Sequence, residues 1–153
     1  MTSWLFQENP RQYKRNRASG SEERDKPRWS DVTRRGDELN AGDNAAIWVS
    51  GPKRGVYGLA TIAANEAGGP GIHDRLIPPD KDWHEGSSGR VVLAVNFRDD
   101  ARWLEPPILL RPVLKADPRF KDAEILKIPR AGSPFRLTDK QWQAKIDARN
   151  RVD

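Results

Sequence analysis

Two tryptophans sit where a core is hard to build. Trp29 and Trp83 lie in stretches rich in charge and glycine, within a chain of 153 residues that carries six tryptophans. An indole face in such a setting can stack on an unpaired base for about 1–3 kcal/mol. It can equally anchor a loop, and the residues alone leave both readings open for each. Trp48, inside an apolar run, is either core or the wall of a pocket. The cations fall close to Trp29. Between Arg11 and Arg35 stand nine basic residues and four acidic ones, which accounts for the whole formal net charge of +5. A local surplus on a neutral body suits a polyanion, because Lys and Arg make most phosphate contacts. A solvated, uncommitted loop has the same composition.

Other chemistries find less support. There is no cysteine, so disulfides, thiolate metal sites and cysteine nucleophiles are excluded. His73-Asp74 and His84 could be a metal half-site and a general base, but a metal wants about three or four ligands and His73 has no histidine at a useful spacing. Two exposed loop histidines are the simpler reading. Gly68-Gly69-Pro70-Gly71 and Gly86-Ser87-Ser88-Gly89 lack the Gly-Lys-Ser/Thr ending of a phosphate loop. No Gly-x-Ser-x-Gly elbow is present, and no carboxylate stands in an apolar neighbourhood. The expectation is a non-catalytic protein with no metal and no cofactor.

The elements that would position these residues can be read locally. Trp4-Leu5-Phe6 suggests a first strand, followed by a polar loop from about Tyr13 to Pro27. Residues 45–49 and 56–63 suggest a hairpin across a Gly/Pro turn, with Gly58 marking a bulge or a close approach to the backbone. A second irregular region spans 64–89. Val91, Leu93, Val95 and Phe97 alternate on one face of a strand, and residues 108–110 suggest another. Asp117-Pro118 looks like an N-cap with proline at the first helical position. Thr138 and Gln141 form a capping box, with Leu137 and Trp142 as its hydrophobic staple, ahead of a helix over 139–149 burying Trp142 and Ile146. Strands early and helices late predict an α+β domain on a mixed or antiparallel sheet. With no apolar run near the roughly 20 residues of a membrane span and no leader pattern, one soluble, cytoplasmic domain over residues 1–153 is expected.

Seven strings in order, WLFQENPRQY (4–13), RWSDVTR (28–34), GDNAAIWVSG (42–51), GVYGLATI (55–62), DPRF (117–120), SPFRLT (133–138) and QW (141–142), resemble the EVE domain of the PUA-like superfamily. Residues 14–27 and 64–89 are longer and more polar than that compact pattern. The resemblance implies a PUA-like twisted mixed β-barrel surrounded by short helices, related to the YTH and SRA-like readers. It implies a pocket for a flipped, modified base, methylated or hydroxymethylated cytosine in DNA being the leading ligand, and a sensor role in modification-dependent restriction with an effector nuclease or ATPase as partner.

Carried across by position, Trp29 and Ser30 would give one aromatic wall and a polar contact. Trp48, Ser50 and Gly51 would form the floor, with Tyr57 and Gly58 on the adjoining strand. Asn9 would contact the base, Ser133 and Phe135 would close the pocket, and Trp83 would be the opposite wall. Arg15, Arg17, Arg28, Arg34 and Arg35 would meet phosphates beside it. Three rivals remain at this point: an RNA-binding PUA-like module acting on modified tRNA or rRNA, a small nucleotide enzyme using Asp74 and His84, and a protein adaptor.

Overall fold

Trp4-Leu5-Phe6 and Ala45-Ala46-Ile47-Trp48 are apolar without alternation, the pattern of strands covered on both faces. The structure, a computed structural model describing residues 1–8, 27–76, 91–110 and 114–152, places them side by side. Strand β1 (Ser3–Glu8) pairs in parallel with β3 (Asn44–Val49). Around that pair, β4 (Gly55–Thr61) and β7 (Arg102–Leu109) add antiparallel on one side and β8 (Phe135–Leu137) on the other, giving the order β7-β4-β3-β1-β8. A second, antiparallel sheet has the order β2-β6-β5, from β2 (Trp29–Asp31), β6 (Val91–Asn96) and β5 (Ile72–Leu76).

The pleat divides the apolar residues between two cores. Leu5, Ala46, Trp48, Leu104, Phe120 and Phe135 lie on one face of the five-stranded sheet with Ala144 and Ala148 of α2 (Asp139–Val152). Trp4, Phe6, Ala45 and Ile47 lie on the other, against Val95 of the second sheet and against Val32 and Phe97, each one residue past its strands β2 and β6. Successive residues of β1 and β3 thus feed opposite layers, as a period of two requires. Asp43 fixes the start of this parallel pair, accepting from the Trp4 indole N–H at 2.9 Å and from the Thr2 and Asn40 amides.

Several expectations change. Hydrogen-bond ladders among the described residues form two sheets, not the closed barrel that the resemblance implied. Strand β5 arises inside the region expected to be irregular, pairing with β6 from Ile72 opposite Val95 to Leu76 opposite Val91. Strand β7 begins at Arg102 and runs through Pro106-Pro107, which an edge strand tolerates because one side needs no amide donors. Val95 and Phe97 are buried, but Val91 and Leu93 on the same face are exposed. Asp117 opens a turn rather than a helix: its carboxylate accepts the Arg119 amide at 2.9 Å, and α1 (Glu124–Lys127) starts later.

The capping box forms as expected. The Gln141 amide donates to Thr138 Oγ1 at 3.1 Å and the Thr138 amide to Gln141 Oε1 at 2.9 Å. The buried stripe of α2 is Gln141, Ala144, Lys145 and Ala148, at helical spacing, while Trp142 and Ile146 are only half-buried. Lys145 therefore takes a place expected of an apolar residue.

Candidate nucleic-acid interface

Parallel β1 and β3 end side by side, Glu8 opposite Val49, so the chain leaves both strands at one place. There the Ser50 amide and hydroxyl both donate to the Glu8 carbonyl, each at 3.1 Å. Gly51 follows with φ +112°, a conformation that favours glycine. Next to this, Ser133 joins three segments. Its hydroxyl accepts from the Gln7 amide at 2.7 Å and donates to the Gln7 carbonyl at 3.3 Å. Its carbonyl accepts the Thr33 and Arg34 amides and the Thr33 hydroxyl. The mouth of the β1–β3 pair is thus framed by residues 7–8, 33–34, 50–51 and 132–133.

The structure sorts the expected pocket residues into three groups. Ser50, Gly51 and Ser133 are at this mouth, although the Ser133 hydroxyl is engaged with β1. Trp48 and Phe135 are core: Trp48 is 2 % exposed and stacked on Phe120 at 6.3 Å, and Phe135 is sealed. Neither can offer a ring face to a base without the core opening. Trp29 and Ser30 are the third group. Adjacent strand residues point to opposite faces, and here Trp29 is half-buried opposite Asn96 while Ser30 lies buried opposite Val95. They cannot both line one cavity with their side chains. Asn9 and Trp83 lie outside the described residues.

Tyr57 and Gly58 occupy the bulge where β3 pairing shifts between Ile47 and Trp48. The Tyr57 hydroxyl donates to the Lys53 carbonyl at 2.6 Å. A side chain at position 58 would meet the Trp103 ring and Ile47 Cγ1 at 3.0 Å, so Gly58 makes room for Trp103 and not for a ligand.

The cations divide as sharply. Arg35 forms a two-pronged bond with Glu124, at 2.9 and 3.1 Å. Arg34 donates from Nε to the Gly132 carbonyl at 2.7 Å, lies over the Phe135 ring, and brings Nη2 to 3.6 Å from Glu124. Burial raises the Glu124 carboxyl, but the hydrogen bonds from Arg35 and the Arg136 amide more than offset it and hold the group below the usual range. Arg34 and Arg35, expected at phosphates, are committed to this seam between β2 and α1. Arg28 is exposed, and Arg15 and Arg17 lie outside the described residues.

Sequence reasoning passed over Lys53 and Arg54, two exposed cations at the tip of the β3–β4 hairpin. Their signal was consecutive charge inside a Gly-Pro turn, overlooked beside the denser run at 11–35. Among the described residues, no three His, Asp or Glu side chains are grouped to hold a metal. His73 and Asp74 are exposed on β5; His84 lies outside the described residues. No helix there is long and apolar enough to cross a membrane.

A profile of the EVE domain matches residues 2–147. Solved structures share the fold at low identity. A hypothetical protein from Leishmania major superposes with a TM-score of 0.63 at 14% identity, covering 99% of this chain and 96% of the other. A protein from Rhodopseudomonas palustris gives 0.55 at 18% identity, covering 100% and 96%. One from Pseudomonas putida gives 0.50 at 18% identity, covering 96% and 99%. Among proteins of curated function, none matches. With nearly the whole chain matched by the profile, the protein belongs to the EVE domain family.

Proposed function

We propose that this EVE-domain protein is a nucleic-acid-binding module that reads a modified base, methylated or hydroxymethylated cytosine in DNA, and acts by binding alone. The family match supports the nucleic-acid role. The observation that carries the finer reading is the contrast among tryptophans: Trp4 and Trp48 are sealed in the two cores and Trp142 and Trp103 pack against them half-buried, while the half-buried Trp29 belongs to neither core.

Extruding a base costs a few kcal/mol of stacking and pairing. An indole face returns about 1–3 kcal/mol of that. The positive-φ backbone at Gly51, with no side chain, lets a base edge come close to the chain there, while Ser50 keeps the ends of β1 and β3 together. A buried methyl adds about 0.8 kcal/mol, enough for a several-fold preference and no more.

The test is a binding panel of short duplexes and single strands, DNA and RNA, each with one modified or plain base. Tighter binding to modified cytosine in DNA is expected, with Trp29→Ala erasing that preference and leaving the melting temperature within a few degrees. Equal affinity for modified and plain strands would overturn the reading. A preference confined to RNA would move the ligand to modified RNA.

A further inference from the structure

We propose that the tip of the β3–β4 hairpin is a phosphate clamp, in which the Lys53 ammonium and the Arg54 guanidinium grip the sugar–phosphate backbone of the strand bound at the adjoining mouth. The proposal rests on the nucleic-acid reading above and adds the residues that hold the backbone.

Position is the first argument. The tip follows directly from Ser50 and Gly51, which close the ends of β1 and β3, so anything bound at that mouth lies next to residues 52–54. Rigidity is the second. The Lys53 carbonyl is held by the Tyr57 hydroxyl at 2.6 Å, and the Arg54 carbonyl by the Leu110 amide at 3.0 Å. Gly51 takes its positive φ, and Gly55 lies so close to the Ile108 carbonyl that no side chain fits there. A turn pinned from both sides presents its side chains with little backbone entropy left to lose on binding.

Charge is the third argument. Residues 50–55 contain two cations and no carboxylate. Among the described residues neither Lys53 nor Arg54 is in an ion pair, in contrast to Arg34, Arg35 and Arg119, each of which sits on an acidic side chain. Arg54 donates from Nε to the Gly51 carbonyl at 3.3 Å, a bond that uses neither Nη group, and the Nη groups are prongs suited to a phosphate.

The experiment measures binding of wild type and Lys53→Ala/Arg54→Ala to a labelled DNA duplex with one hydroxymethylcytosine and to its unmodified counterpart, across a salt series. Each phosphate contact contributes about 0.9 to the slope of log K against log salt, so losing two should flatten it by about 1.8. The loss should be the same for both duplexes, because backbone contacts carry no base information. Arg54→Lys with Lys53 intact should restore most of the slope. An unchanged slope in the double variant, with wild type binding normally, overturns the clamp and leaves the reader standing. No binding by wild type at low salt overturns both. A melting temperature matching wild type shows that the variant is folded.

Discussion

Two pairs of neighbouring cations, Arg34-Arg35 and Lys53-Arg54, have nearly the same composition and opposite uses. The first pair sits at the seam where β2 meets α1 and the turn before β8. There one carboxylate, Glu124, is near enough to take both guanidiniums, and Phe135 and the Gly132 carbonyl occupy the rest of Arg34. The second pair tops a pinned turn with no acidic residue among its own six positions. Positive charge becomes a structural bond or a ligand contact according to whether the fold delivers an anion to it. Counting basic residues along the chain cannot make that distinction.

Substitutions at the seam should cost stability and leave affinity alone, and those at the tip the reverse. The largest effect is expected for Glu124→Ala, which strands Arg34 and Arg35. A loss of about 1–3 kcal/mol in denaturant unfolding is expected, with the salt slope of oligonucleotide binding unchanged. Acid should imitate it. The Glu124 carboxyl is held below its usual range, so its contribution is complete above the unfolded value of about 4.3 and disappears as pH falls through the folded value. Glu124→Gln should therefore flatten the acid limb of the stability profile.

A buried lysine sharpens the contrast, because among the described residues no anion is paired with it and it is shut off from solvent. Lys145 is fully buried on α2, its Nζ lies 3.3 Å from the Trp142 ring centroid, and no hydrogen-bond partner reaches it among the described residues. Burial, with the Arg102 charge nearby, pushes its amine well below the usual lysine range. The unfolded chain then binds a proton that the folded one refuses, so stability should rise with pH up to about 10.4. Lys145→Met should add about 1 kcal/mol at neutral pH and remove that slope. The smallest stability change, within about 0.5 kcal/mol, is expected at Lys53 and Arg54. If the tip double variant destabilised the fold as much as Glu124→Ala, or if Glu124→Ala flattened the salt slope, the division between seam and tip would fail.

What the sequence discloses follows from the distance over which each feature is decided. The Thr138–Gln141 capping box spans four residues and was legible in full. The hairpin around residues 50–55 was legible for the same reason. The use of Arg35 was not, because its partner stands 89 residues away. The two-sheet arrangement was hidden likewise, since β1 pairs with β3 and β8 across long stretches of chain. Pro106-Pro107 concealed most of β7, an edge strand that can carry them. Trp29-Ser30 misled in another way: neighbours in sequence suggest a shared site, whereas a strand sends them to opposite faces. The resemblance in seven short strings located the family, yet it could not say that Trp48 and Phe135 would be closed into the core.

The central claim, that a modified base is read by Trp29 together with the mouth of β1 and β3, is tested most directly by an amide and indole NMR titration with a duplex carrying one hydroxymethylcytosine. The account predicts the largest shifts at the Trp29 indole N–H and the Ser50 and Gly51 amides, with residues 53–54 responding equally to a plain duplex. An unmoved Trp29 indole, with the shifts concentrated on α2 or on β5, would contradict it.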